Sequence, residues 1–113
     1  MMRWIKRHHE YLEFFRSDHL LRTKHFFVPV LGNEAEEFAV GITVSKRIGN
    51  AVVRNLLKRR IKAFVRQNVS LYPRGVKVNI IARTGAGELP WQTIHSEISR
   101  IFQDSGSEPR DSR

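Results

Sequence analysis

The chain has 113 residues, no cysteine, and twenty Lys and Arg against eleven Asp and Glu, a formal charge of +9 with histidine neutral. Its length predicts one domain, and a 41% hydrophobic content with seven Phe is enough for a modest core. The absence of cysteine excludes disulfides, thiolate nucleophiles and cysteine-based zinc sites, while the charge excess calls for an anionic partner: nucleic acid, an acidic membrane surface or an acidic protein.

In chain order, RWIKRHHEYLEFFRSD places Trp4, His8, Tyr11, Leu12 and Phe15 on one face at helical spacing and predicts a short helix ending near Ser17. KHFFVPVL, residues 24–31, reads as a strand, with Pro29 pointing to an edge or a bulge because proline cannot donate to a ladder. GNEAEE is a polar turn, with room for a further strand near residues 31–37. FAVGITVS alternates: Phe38, Val40, Ile42 and Val44 face one way, and the small residues Ala39, Gly41, Thr43 and Ser45 face the other. Such a small-residue face admits a closely packed helix or ligand backbone.

A basic helix follows from about Asn50 to Val69, stopped by YPRG, then a strand VKVNIIAR, a loop TGAGELP and a last helix PWQTIHSEISRIF. In that last helix Ile94, Ile98, Ile101 and Phe102 share a face. The tail from residue 104 is polar with Gly and Pro and is expected to be disordered, leaving a single domain over residues 1–103. The expected order is α-β-β-α-β-α, an α+β sandwich of a small sheet and packed helices.

The stretch KRIGNAVVRNLLKRRIKAFVRQ, residues 46–67, holds eight of the twenty Lys and Arg and no acid. At about 100° per residue, Val53, Leu57, Ile61 and Phe64 form one apolar stripe. Arg54, Lys58, Lys62 and Arg66 follow one another at i, i+4 on the opposite arc, beside Asn55 and Arg59. A merely solvated face would mix Glu with Lys, because like charges at that spacing oppose the helix. A row of uncompensated cations therefore points to a polyanion, with each phosphate contact releasing counterions. Gly49 allows close backbone approach and Asn50 suits an N-cap, so the helix start itself can attract phosphate.

SKRIGNAVVRNLLKRRIK resembles the motif helix of the bacterial ribonuclease P protein subunit. In that family the stretch commonly reads Lys-(Lys/Arg)-(Val/Ile)-Gly-Asn-Ala-Val-x-Arg-Asn-Arg-x-Lys-Arg-x-(Ile/Leu)-Arg. EYLEFF, VNIIAR and GAGEL agree with it, and the resemblance spans roughly residues 3–103. It implies a small α/β sandwich similar to one domain of a ribosomal protein, with a four-stranded mixed sheet and a left-handed βαβ crossover. It also implies a protein that binds a catalytic RNA and helps remove the 5′ leader of precursor tRNA. Hydrolysis and Mg²⁺ would be held mainly by the RNA.

By the same resemblance the RNA-facing residues are Lys46, Arg47, Asn50, Arg54, Asn55, Lys58, Arg59 and Lys62. Leu56 stands where the family has Arg, and Arg60 one turn later is offered as its partial replacement, its stem on the core and its head outward. A cleft holding the leader transfers to Tyr11, Phe15 and Phe27, with Pro29 where an aromatic is common. Aromatic rings stack unpaired bases with little sequence preference, which suits an enzyme that accepts many leaders. An aromatic stripe at helical spacing can equally be core, and that alternative stays open at this point.

The five histidines (8, 9, 19, 25 and 95) show no metal spacing, and the acids are scattered, so no catalytic or metal-ligating residue is assigned to the protein. No apolar run approaches the roughly 20 residues needed to cross a bilayer. The basic start lacks the apolar stretch of a signal peptide, so a cytoplasmic location is expected. The expected partners are the catalytic RNA and precursor tRNA, with no membrane and no small-molecule substrate. Two rival readings are a structural RNA-binding protein of the ribosomal type and a peripheral membrane or acidic-protein binder. The second would need bulky apolar residues exposed beside the basic ones.

Overall fold

The structure, a computed structural model, describes residues 2–33, 35–68 and 74–105. Its elements are β1 (Met2–Trp4), α1 (His8–Leu12) running into a 3₁₀ turn (Glu13–Arg16), β2 (His19–Arg22), β3 (Phe26–Gly32) and β4 (Phe38–Thr43). A 3₁₀ turn (Lys46–Ile48) leads into α2 (Ala51–Gln67), followed by β5 (Val76–Ala82), a 3₁₀ turn (Ala86–Glu88) and α3 (Trp91–Ser105). The sheet runs β1-β4-β5-β3-β2. β4 is parallel to both β1 and β5, and β3 is antiparallel to both β5 and β2. The chain is thus α+β with a mixed sheet, of five strands rather than the four expected.

The two strands that the sequence pattern did not show are short. Residues 2–4, of which Arg3 and Trp4 fell in the segment read above as the first helix, pair with Phe38–Val40, and the Ile5 amide continues the ladder to the Val40 carbonyl at 2.8 Å. HLLR at 19–22 pairs with Phe27–Val30. Segments of three and four residues are too short for a period to register. Among the described residues near 31–37 no further strand forms: Leu31 and Gly32 end β3, and residues 35–37 bend.

β3 is an interior strand with an unshifted register to both neighbours, neither the edge nor the bulge that Pro29 suggested. Its register with β5 pairs Phe27 with Ile81 and Val30 with Val78 and passes over Val28 and Pro29. The missing proline donor falls at a break in that ladder, which is how an interior strand accommodates it. The stop signal YPRG lies partly outside the described residues. The helix itself closes at Asn68, whose side-chain amide donates to the Phe64 carbonyl at 2.9 Å.

The alternation of β4 separates two cores. Phe38, Val40 and Val44 join Leu57, Ile61, Phe64 and Val65 of α2 and Ile94, Ile98, Ile101 and Phe102 of α3 in the main cluster. Ala39 faces the other way, into a small cluster with Ile5 and Phe14. The helical face drawn through Tyr11, Leu12 and Phe15 is therefore not the buried one. Phe14 is buried while Leu12 and Phe15 are exposed, because the helix tightens to a 3₁₀ turn at Glu13 and shifts the side chains around the axis. α3 extends to Ser105, two residues into the segment assigned to the tail, and residues 106–113 lie outside the described residues.

Two buried carboxylates tie these layers together. Glu10 on α1 accepts from Arg3 of β1 at 2.9 and 2.6 Å and from Lys77 of β5 at 3.2 Å. The Arg3 bonds lead in holding its pKa down at about 2, against the cost of burial. Glu97 on α3 accepts from the Thr23 hydroxyl at 2.5 Å and the His25 amide at 3.0 Å, and its other oxygen lies 2.6 Å from His25 Nδ1. Burial alone would raise its pKa, but the bonds from Thr23 and His25 outweigh that and lower it. The β2–β3 turn is thereby pinned to the last helix.

Candidate RNA interface

The 3₁₀ turn Lys46–Ile48 joins the C-terminal end of β4 to α2, so the basic arc starts just beyond the end of that interior strand. Asn50 is the N-cap, its carboxamide oxygen accepting from the Val53 amide at 3.0 Å. Arg54 turns back along the helix, and its Nε donates to the Gly49 carbonyl at 3.1 Å. A Cβ built on Gly87 would lie 2.7 Å from Val53 Cγ1, so the GAG loop needs glycine to pack against the first turn of α2. Gly85 supplies the left-handed residue that opens this loop, at φ 95°. The glycines of that loop thus have a packing role.

The buried side of α2 is Leu57, Ile61, Phe64 and Val65, with Val53 half-buried. On the outer side Lys46, Arg47, Asn50, Asn55, Arg59, Lys62 and Arg66 are exposed, and Arg54, Lys58 and Arg60 are half-buried. Among the described residues, the ion pairs are those of Arg3, His25 and Lys77 with Glu10, Glu13, Glu37 and Glu97. None involves a cation of residues 46–67. A shallow basin on this face is lined by Val52, Asn55, Leu56, Lys58, Arg59 and Lys62. Leu56, in the family's Arg position, thus lines it as an apolar residue, and Val52 beside it is 75% exposed. Arg60 is half-buried one turn further on.

The three residues assigned to a leader cleft come together. Tyr11, Phe15 and Phe27 line one groove of about 300 Å³ with Phe14, Leu20 and Pro29. Tyr11 lies flat on the small-residue face of β4: a Cβ on Gly41 would fall 2.6 Å from Tyr11 Cε1. Its hydroxyl donates to the Ile5 carbonyl at 3.1 Å and accepts from the Ile42 amide at 3.3 Å. Burial, the largest influence, pushes the phenol pKa up. Phe15 is 87% exposed, which no core role explains. The guanidinium carbons of Arg22 and Arg83 sit 5.7 and 5.9 Å from the Phe27 ring. These two arginines were missed above. Arg22 sits on a strand too short to read, and Arg83 closes β5 without a charge run to mark it.

The groove walls are therefore aromatic with a basic rim, a surface suited to unpaired bases joined by phosphates. Among the described residues no group of three or more His, Asp or Glu could hold a metal ion. No described helix is long and apolar enough to cross a membrane.

The family model Ribonuclease P matches residues 2–106. This chain belongs to the ribonuclease P protein family. The ribonuclease P protein component of Geobacter sp. strain M21 is 44% identical over 98 residues, covering 87% of this chain and 84% of that protein. Its counterpart in Pediococcus pentosaceus is 35% identical over 103 residues, 90% of this chain and 87% of the relative. Among solved structures, the Staphylococcus aureus RNase P protein superposes with a TM-score of 0.82 at 27% identity, over 90% of this chain and 94% of that one. The Thermotoga maritima RNase P protein shares the fold, with a TM-score of 0.78 at 24% identity over 84% of this chain and 90% of that one.

Proposed function

We propose that this protein is the protein subunit of a ribonucleoprotein ribonuclease P. It docks on the catalytic RNA through the outer face of α2 and the preceding turn, and it holds the 5′ leader of precursor tRNA in the aromatic groove. The RNA, with its bound Mg²⁺, carries out the hydrolysis that leaves the mature tRNA 5′ end. The observation that carries this reading is the face of α2. Its cations have no carboxylate partner among the described residues, although the same fold pairs Arg3 and Lys77 thoroughly. Uncompensated like charge along one helix costs stability in the free protein and is relieved by a polyanion.

The test is reconstitution with a bacterial ribonuclease P RNA at low Mg²⁺. Cleavage of precursor tRNA is expected only when both components are present, and the gain over RNA alone should shrink for a substrate without a leader. Log affinity for the RNA should fall with log salt at a slope of roughly −3 to −5, for about four to six phosphates neutralised. A nearly flat salt dependence would mean that the basic arc is only solvated. RNA binding without any effect on cleavage would favour a ribosomal-type structural protein instead.

A further inference from the structure

A second groove, of about 370 Å³, opens between β1 and the C-terminal half of α2, lined in part by Trp4, Lys6, Ile42, Lys58, Lys62 and Arg66. Trp4 packs against the main core yet is only half-buried. Its outer part meets two cations, with Lys62 Nζ 5.8 Å and Arg66 Cζ 5.6 Å from the ring centre. Lys58, Lys62 and Arg66 are spaced four apart and repel one another. No acidic residue lines the groove. A large π-face and four converging cations, with no anion among them, form a site with its counterpart missing.

We propose that this groove takes one unpaired nucleotide of the catalytic RNA, its base stacked on Trp4 and its flanking phosphates held by Lys6, Lys58, Lys62 and Arg66. This rests on the reading of α2 as the RNA-docking face. A nucleotide supplies what the groove lacks, a flat base for the indole and anionic oxygens for the cations, which exchange their contact with the ring for phosphate. The volume lies at the low end of the ~300–1,000 Å³ of ligand sites, which admits a splayed-out nucleotide and not a duplex. The catalytic RNA is chosen over the leader because Lys58 and Lys62 line both this groove and the basin on α2. The two surfaces are continuous. The leader groove has aromatic rings of its own and shares only Tyr11 with this one.

The chain has two tryptophans, so Trp91→Phe leaves Trp4 as the sole indole reporter. Titrating full-length Trp91→Phe protein with the ribonuclease P RNA, in the absence of substrate, should quench its emission in a saturable manner. Trp4→Leu, which keeps an apolar side chain on the core, should bind that RNA about tenfold more weakly, and Trp4→Phe should recover most of the loss. Emission unchanged at saturating RNA overturns the proposal, as does quenching that appears only when leader-bearing precursor tRNA is added. Equal weakening by Leu and Phe also overturns it, since packing alone would then explain the effect. Precursor cleavage by the same mixture separates the two levels. Active cleavage with an unquenched Trp4 removes this inference alone, whereas neither cleavage nor RNA binding removes the docking reading as well.

Discussion

Gly41→Ala probes how the sheet positions the aromatic groove. The added Cβ would stand 2.6 Å from Tyr11 Cε1 and 2.9 Å from both Cζ and the hydroxyl oxygen. Carbon pairs settle at about 3.5–4.0 Å, so the ring must withdraw by about 1 Å. The Tyr11 hydroxyl bonds, already 3.1 and 3.3 Å long, would then pass out of range together. Two such bonds contribute about 0.5–1.5 kcal/mol each, and the crowding adds a part of the ~1–3 kcal/mol typical of overpacking. Against this, alanine recovers roughly 0.5–1 kcal/mol of chain entropy in a strand. The net expectation is a destabilisation of about 2–3 kcal/mol, read from urea unfolding. In a Tyr11→Ala background the three nearest atoms are gone, and the same substitution should cost clearly less. A double-mutant cycle isolates the difference. Equal costs in both backgrounds, within about 0.5 kcal/mol, would show that Tyr11 is not seated on Gly41 and that the groove wall is built otherwise.

Three further expectations separate function from stability. Phe15→Ala should leave unfolding free energy within about 0.5 kcal/mol, because the ring is exposed, while weakening binding of leader-bearing precursor by about 1–3 kcal/mol and sparing leaderless substrate; equal effects on both substrates would remove Phe15 from the leader site. Arg54→Ala and Arg60→Ala should each reduce affinity for the ribonuclease P RNA and flatten the salt slope by about 0.7–0.9. If Arg60→Ala changes neither, Arg60 does not stand in for the family arginine replaced by Leu56. Glu10, held at about 2 in the folded state against an ordinary 4.5, contributes stability that is present above pH 4.5 and lost as pH falls from there towards 2. Allowing for screening at the partly exposed Arg3, the loss should be on the order of 1–3 kcal/mol. Glu10→Gln should remove that part of the acid limb in a pH series of unfolding curves, and an unchanged limb would place the acid sensitivity elsewhere.

Long periodic segments were legible before any coordinates. The stripe Leu57, Ile61 and Phe64 and the basic arc opposite it were readable because a helix of seventeen residues repeats its pattern several times. The alternation of β4 and the Ile94–Ile98–Ile101–Phe102 face were readable for the same reason, and Asn50 as cap from its side-chain chemistry at a helix start. The resemblance to ribonuclease P proteins depended on that same helix, where one short stretch combines charge, cap and core. The strands at 2–4 and 19–22 carried too few residues to show a period. Pro29 misled about the edge because a ladder can break locally while the strand stays interior.

The sequence determined, by its own pattern, which side of each long element is apolar and which carries the positive charge, since helix and strand periods express that choice within a single segment. It did not determine which segments meet. Tyr11 on Gly41, Glu97 at His25, Arg3 and Lys77 around Glu10, and Trp4 beneath Lys62 and Arg66 join residues roughly 7 to 70 positions apart. Only the strand order β1-β4-β5-β3-β2 brings them within reach. Likewise, one tightened turn decided that Phe14 is core and Phe15 faces the groove. Local periodicity fixes the direction of a side chain relative to its own axis, and the surface that it meets is set by the packing of the whole chain.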